Sequence, residues 1–209
     1  VLGPEEGGNL CAYYDITEEG NWEGKSIPHA PRSVERVASR LGIAVEGFRK
    51  SLEVGRAGLY EARRRRIPPG LDDKVLTAWN GMMVGAMAEG HRVLGDPRYL
   101  AAAARAADFL LAHLRRADGR LLRTSRQGKA HLDAYLEDYA FLAEGLLDLS
   151  EAGGDVRILR EAAGLAERIL QDFGDEAGGF YDTAVDHEAL ILRHKDGADG
   201  AIPSANAVA

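Results

Sequence analysis

The sequence predicts an all-α fold of stacked antiparallel helical hairpins with short β-hairpins in the long connections. Three observations carry this. Apolar residues recur at helical spacing through most of the chain. Tight turns of the form Gly-Asp separate paired helices. A unit of helix, tight turn, helix and hairpin then recurs at an offset of 59 residues. At that offset Asp96, Arg98, Leu100, Ala103, Ala104, Ala107, Leu111 and Gly119 fall on Asp155, Arg157, Leu159, Ala162, Ala163, Ala166, Leu170 and Gly178. Alanine-rich helices produce chance identities, but a matching capping Asp and a matching hairpin Gly point to a structural repeat. Such units stack either as an open solenoid or as a closed α/α toroid.

The elements follow in order. Residues 1–31 are rich in Gly, Pro, Asn and Trp, with one short strand expected over Leu10–Ile16. Arg32–Leu41 reads as a short helix and Ile43–Arg66 as a longer one, ended by Pro68-Pro69-Gly70. Residues 1–66 are thus expected to be a leading segment of the same fold, and 67–209 the repeated hairpins. Asp73–Leu94 is a strongly apolar helix. Gly95 suits the left-handed position past its end, Asp96 an N-cap and Pro97 the first helical position of the amphipathic helix Pro97–Arg116. Arg120–Leu132 is a predicted hairpin turning near Gln127-Gly128. Ala134–Ala152 and Val156–Phe173 repeat the helix pair, Gly179–Leu192 is expected as a second hairpin, and Pro203 opens a further helix. The more apolar helices, Asp73–Leu94 and Ala134–Ala152, are predicted to be inner and their charged partners outer. The long connections and the N-terminal ends of the inner helices then share one face, where functional groups concentrate.

Composition narrows the function classes. The chain has 209 residues, with 26 Lys and Arg against 33 Asp and Glu, a formal charge of −7. That balance argues against a nucleic-acid partner, whose phosphates need basic contacts. Arg63-Arg64-Arg65-Arg66 closes a helix, where the dipole favours cations, and is not read as a nucleic-acid patch. The single Cys11 excludes a disulfide framework and a cysteine metal cluster. The six His residues show no metal-ligand spacing, so neither a metal nor a cofactor is expected. No apolar run approaches the ~20 residues of a membrane span. With no leader and little cysteine, the expected location is cytoplasmic.

Three clusters fall at the starts of successive inner helices. The first is Asp72-Asp73-Lys74 leading to Trp79-Asn80, the second Tyr135-Leu136-Glu137-Asp138-Tyr139, and the third Pro203-Ser204-Ala205-Asn206. Aromatic rings that stack on sugar faces, beside carboxylates and amides that bond hydroxyls, suit a small sugar-like ligand. Asp138, Asp73 and Asp72 are the candidate catalytic carboxylates. Lys74, Trp79, Asn80, Tyr135, Tyr139, Ser204 and Asn206 are the candidate binding groups. Asp72 or Asp73 would serve equally as a helix cap, and Trp79 as a core residue. Asp138 lies inside an apolar helix and needs a partner, for which Lys74 is the expected one. His131, His187 and His194 fall in the long connections, where one could act as a base.

These motifs, together with Gly20-Asn21-Trp22-Glu23-Gly24 and Trp79-Asn80-Gly81, resemble the thioredoxin-domain-containing proteins of the spermatogenesis-associated protein 20, or YyaL, family. The resemblance implies an N-terminal thioredoxin-like domain followed by an α/α toroid akin to six-hairpin glycosidases and N-acylglucosamine 2-epimerases. It departs from the family pattern at Ala205, where many relatives carry Gly. The chain opens abruptly at Val1 and stops at Ala209 as a helix begins, so it is expected to be a middle portion of that toroid. Its thioredoxin-like domain and last hairpins would then lie outside it. Three activities follow as expectations. A hydrolase would pair Asp138 with Asp72 or Asp73, an epimerase or isomerase would use a loop histidine as base, and a non-catalytic module would bind ligands or scaffold the thioredoxin-like domain.

Overall fold

The computed structural model describes residues 1–188 and 190–209, which form two units, Val1–Leu71 and Asp72–Ala209. In the first, α1 (Pro4–Tyr14), α2 (Val34–Leu41) and α3 (Val45–Arg64) close on Leu10, Val37, Ala38, Phe48 and Leu52. In place of the strand expected over Leu10–Ile16, α1 runs through to Tyr14. Pro4 starts that helix, Glu5 and Glu6 complement its dipole, and Asp15 ends it in the left-handed conformation with its N–H on the Cys11 carbonyl. Leu10 packs directly on α3 at Gly55, so burial on a neighbouring helix overrides the strand preference of Tyr13 and Tyr14.

The second unit carries the repeat. A two-residue strand, β1 (Val75–Leu76), leads into α4 (Thr77–Leu94), which turns into α5 (Pro97–His113). The hairpin β2 (Leu122–Arg126) and β3 (Lys129–Asp133) follows, then α6 (Leu136–Gly153), α7 (Val156–Asp172) and the four-residue α8 (Ala205–Val208). The strands pair antiparallel in the order β1-β2-β3, with Leu76 opposite Thr124 and Thr124 opposite His131.

The two helix pairs are built alike. Gly95 and Gly154 both end an inner helix at φ +69°, a conformation that glycine adopts without a Cβ penalty. Asp96 accepts the Arg98 N–H at 2.9 Å and Asp155 accepts the Arg157 N–H at 2.8 Å. Past each outer helix an isolated bridge forms, Arg115 with Leu121 and Gly174 with Phe180, again 59 residues apart. Helix α6 is buried on nearly every side, from Leu136 through Leu149, and packs on α4, α7 and the buried side of α5. Gly81 and Gly145 bring the α4 and α6 backbones together: a Cβ on Gly81 would stand 2.6 Å from the Leu142 nitrogen, and one on Gly145 would strike the Gly81 carbonyl.

The second expected hairpin, Gly179–Leu192, includes Ala189, which lies outside the described residues. Its described residues form no strand, only the bridge at Phe180. The first connection has a two-residue turn with Gln127 and Gly128 both at positive φ, which matches strand twist. Among the described residues the second has its positive-φ pair at Gly178 and Gly179, inside the bridge from Gly174 to Phe180, and none beyond Phe180.

Candidate functional site

The N-terminal end of α6 organises the polar groups of the second unit. Asp138 stands in its first turn and is 1% exposed. One carboxylate oxygen accepts the Ala78 N–H of α4 at 3.0 Å. The other accepts the Tyr135 N–H at 3.0 Å and an Arg123 guanidinium N–H at 3.2 Å. Asp138 therefore ties the starts of two inner helices to β2. Burial pushes its carboxyl up to about 6, against the opposing pull of the Tyr135 N–H, the Arg123 charge and the Ala78 N–H. The expected partner, Lys74, is not the one it meets. Lys74 is exposed and pairs with Asp72 at 3.3 Å, whereas Arg123 reaches Asp138 from β2.

Arg123 does more than hold Asp138. It donates to Glu137 at 2.7 Å and lies 4.8 Å from the Tyr135 ring centre. Tyr135, Glu137, Asp182, Asp196 and Ser204 line a cavity of about 350 Å³, and uncharged residues between Ala198 and Ala205 complete its lining. Asp182 is fixed twice: its carbonyl accepts the Leu136 N–H at 2.9 Å, and its carboxylate meets His194 Nδ1 at 2.7 Å. That contact leaves His194 Nε2 for another partner, on a side chain that is 67% exposed.

The remaining sequence candidates separate into different places. Asp73 meets the Arg126 side chain at 2.5 Å, and that hydrogen bond holds its carboxyl below the usual range. Neither Asp72 nor Asp73 caps α4, whose N-cap is Leu76. Trp79 is 62% exposed on the first turn of α4, and Asn80 turns back to donate to the Leu76 carbonyl at 2.8 Å. Tyr139 is buried against Phe173, and its hydroxyl accepts the Leu121 N–H at 2.9 Å. Asn206 has the matching task in the next repeat. Its oxygen accepts the Phe180 N–H at 2.7 Å, and its amide donates to Phe180 and Asp196 carbonyls. Ser204 caps α8 by accepting the Ala207 N–H at 3.1 Å. Tyr135 and Ser204 thus face the cavity, whereas Tyr139 and Asn206 pin the chain behind it. Among the described residues no group of three or more His, Cys, Asp or Glu side chains is placed to hold a metal ion, and no helix is long and apolar enough to cross a membrane.

No family model matches the chain. Human spermatogenesis-associated protein 20 is 39% identical to it, in an alignment that covers the whole chain and 30% of the human protein. Along its full length the chain is a relative of spermatogenesis-associated protein 20. It spans about 30% of the length of the curated relatives it matches. Two solved structures resemble this chain in fold. A GH76 α-mannanase from Bacteroides thetaiotaomicron matches with a TM-score of 0.50 at 14% identity, over 83% of this chain and 55% of that one. A cellobiose 2-epimerase from Bacillus thermoamylovorans matches with a TM-score of 0.50 at 12% identity, over 54% of this chain and 33% of that one. At such identities the likeness is one of fold, and it assigns the helical hairpins to the α/α toroid class.

Sequence reasoning missed Arg123, Glu137 as a lining group, Asp182 and Asp196. A signal for two of them was present in this relative of spermatogenesis-associated protein 20. Asp182 stands 59 residues after Arg123, so the repeat places both at the same point beyond their outer helices. That point lies beside the start of α6 in each case, through Glu137 and Asp138 for Arg123 and through the Leu136 N–H for Asp182.

Proposed function

We propose that this chain supplies part of a carbohydrate-active site, in which the cavity at the start of α6 binds a polyhydroxylated ligand and His194 moves a proton on it. The observation that carries the reading is the cavity itself. Some 350 Å³ suits about one sugar ring, and its wall combines an aromatic ring, Tyr135, with the carboxylates of Glu137, Asp182 and Asp196. The His194–Asp182 contact supports proton transfer, because a carboxylate on one ring nitrogen fixes the tautomer and the orientation of the ring. The α/α toroid class, which the mannanase and the 2-epimerase share, supports a sugar ligand by analogy alone.

Between the two chemistries, the site favours the epimerase or isomerase form. The hydrolase form would use Asp138, but both of its oxygens are occupied by Ala78, Tyr135 and Arg123. Asp138 is accordingly a positioning residue for Tyr135 and Glu137 in this reading. The test is the full-length protein incubated with a panel of aldoses and ketoses in deuterated water. Exchange of the proton next to the carbonyl is expected, and His194→Gln should lower it about a hundredfold or more. Sugar binding without exchange would favour the non-catalytic reading, in which the cavity presents a ligand to the thioredoxin-like domain implied by the family. Absence of binding to any sugar would remove both.

A further inference from the structure

Charge around the cavity narrows the ligand further than its shape does. Three carboxylates line it, those of Glu137, Asp182 and Asp196, and among the described residues no Lys or Arg does. Two of the three already have a basic side chain. Glu137 is paired with Arg123 at 2.7 Å, and Asp182 with His194 at 2.7 Å. Asp196 differs. Its carboxylate accepts the Ala198 N–H at 3.0 Å, and among the described residues no basic side chain reaches it.

The neighbouring cations are committed elsewhere. Lys195 pairs with Asp175 and donates to the Gly178 carbonyl at 2.8 Å. Arg193 stacks on Tyr181, 4.0 Å from its ring centre, and donates to the Thr183 carbonyl at 2.5 Å. Asp199 adds a further negative charge where its carboxylate accepts the Ser204 N–H at 2.9 Å. Asn206 holds the Asp196 carbonyl at 3.1 Å, so the segment that carries Asp196 is fastened to the frame.

We infer that the cavity selects a sugar bearing a protonated amine, with Asp196 as the carboxylate that receives the ammonium, and that it rejects sugar phosphates and sugar acids. This rests on the sugar-binding reading above and sharpens its substrate class. An ammonium among hydroxyls gives Asp196 a counter-charge, while Glu137 and Asp182 remain acceptors for neighbouring hydroxyls. A phosphate or carboxylate would meet three carboxylates and no free cation, an arrangement that discriminates by repulsion as well as by attraction. Asp196 is exposed, and an ammonium would reach its carboxylate through charge-assisted hydrogen bonds from its own three donors.

The experiment is calorimetric titration of the full-length protein with glucose, glucosamine, glucose 6-phosphate and glucuronate at one ionic strength. Glucosamine should bind about tenfold more tightly than glucose, and the two anions at least tenfold more weakly. Asp196→Asn should bring the ratio of glucosamine to glucose affinity to about one, because an amide accepts a hydroxyl but offers the ammonium no charge. A second variant, Asp196→Glu, keeps the charge and should keep the sign of the preference. Equal binding of glucose and glucosamine, or an unchanged ratio in Asp196→Asn, would overturn the inference and leave the sugar-binding reading standing. Tighter binding of either anion would overturn it as well. No binding of any of the four would overturn both.

Discussion

The first connection, between α5 and α6, and the second, between α7 and α8, start from the same frame and end differently. Each leaves an outer helix, makes one bridge, and has the N–H of the second bridge residue held by a side chain from the next inner helix. Tyr139 holds Leu121 and Asn206 holds Phe180. The first then zips into β2 and β3 through the Gln127-Gly128 turn. The second forms no ladder among its described residues. Its Asp182 and Asp196 line the cavity instead. A paired hairpin spends its backbone donors and acceptors on itself, whereas an unpaired connection can lend backbone and side chains to a pocket. The repeat thus supplies a rigid frame, and the one connection released from strand pairing supplies most of the candidate chemistry.

The frame itself should break most readily where the two inner helices touch. Gly145→Ala places a Cβ against the Gly81 carbonyl, a backbone atom that cannot swing aside. We expect a loss of about 3 kcal/mol, at the upper end of the usual cost of overpacking. Denaturant unfolding of the 209-residue chain would measure it. A loss under about 1 kcal/mol would mean that α4 and α6 can slide apart, and that the glycines are not what sets their spacing.

Asp138→Asn comes next. One of the two backbone N–H groups it serves would lose its acceptor, and Arg123 would face an amide, for a cost of about 2 kcal/mol near pH 7. The substitution should also change the pH dependence. The carboxyl titrates near 6 in the fold against an ordinary 3.8. Folded protein therefore takes up this proton first as the pH falls. Its contribution to stability is fully present below about 4 and is lost as the pH rises through 6. Wild type should show that slope and Asp138→Asn should lack it, as read by unfolding midpoints between pH 4 and 7. An identical slope in both would assign the titration to another group.

The two pins offer the direct comparison. Tyr139→Phe removes the acceptor from a buried N–H and should cost about 1.5 kcal/mol. Asn206→Ala removes three hydrogen bonds from a more exposed place and should cost about 1 kcal/mol, but it also frees the segment that carries Asp196. Unfolding should thus be hurt more by the first change and sugar affinity more by the second. Equal effects on both measurements would mean that the two connections do not differ in function.

What could be read in advance follows the reach of each interaction. Asp96 and Asp155 cap by bonding two residues ahead, so their role is written locally. The 59-residue offset extends that local signal to the whole helix pair. Asp138 was legible as a buried carboxylate in need of a partner. Its partner was not, because Arg123 comes into range only through the register of β2 and the approach of that strand to α6. Lys74 lay equally well placed in sequence and turned to Asp72. Asn206 and Tyr139 carry groups that suit a sugar, yet both meet a backbone N–H that the sequence gives no reason to place there. Leu10–Ile16 misleads for a related reason: its aromatic pair favours a strand in isolation, and packing on α3 makes it helical.

The smallest expected effect tests whether the ladder matters to the site. Gly128 sits at φ +75° in the two-residue turn, with Gln127 at φ +50°. Its missing side chain avoids a strain that Ala would incur, so Gly128→Ala should cost about 0.5–1 kcal/mol. The damage should stay near the turn, because Leu122, at the far end of β2, is held independently by its N–H on the Leu114 carbonyl and its carbonyl on the Thr77 hydroxyl. Hydrogen exchange should accordingly quicken at Arg126 and Lys129, which face each other across the turn, and stay unchanged at Leu122, next to Arg123. Faster exchange at Leu122, or a weaker sugar affinity, would mean that the ladder tensions Arg123 against Glu137 and Asp138. The hairpin would then be part of the site's support, and the contrast between the two connections would be one of degree.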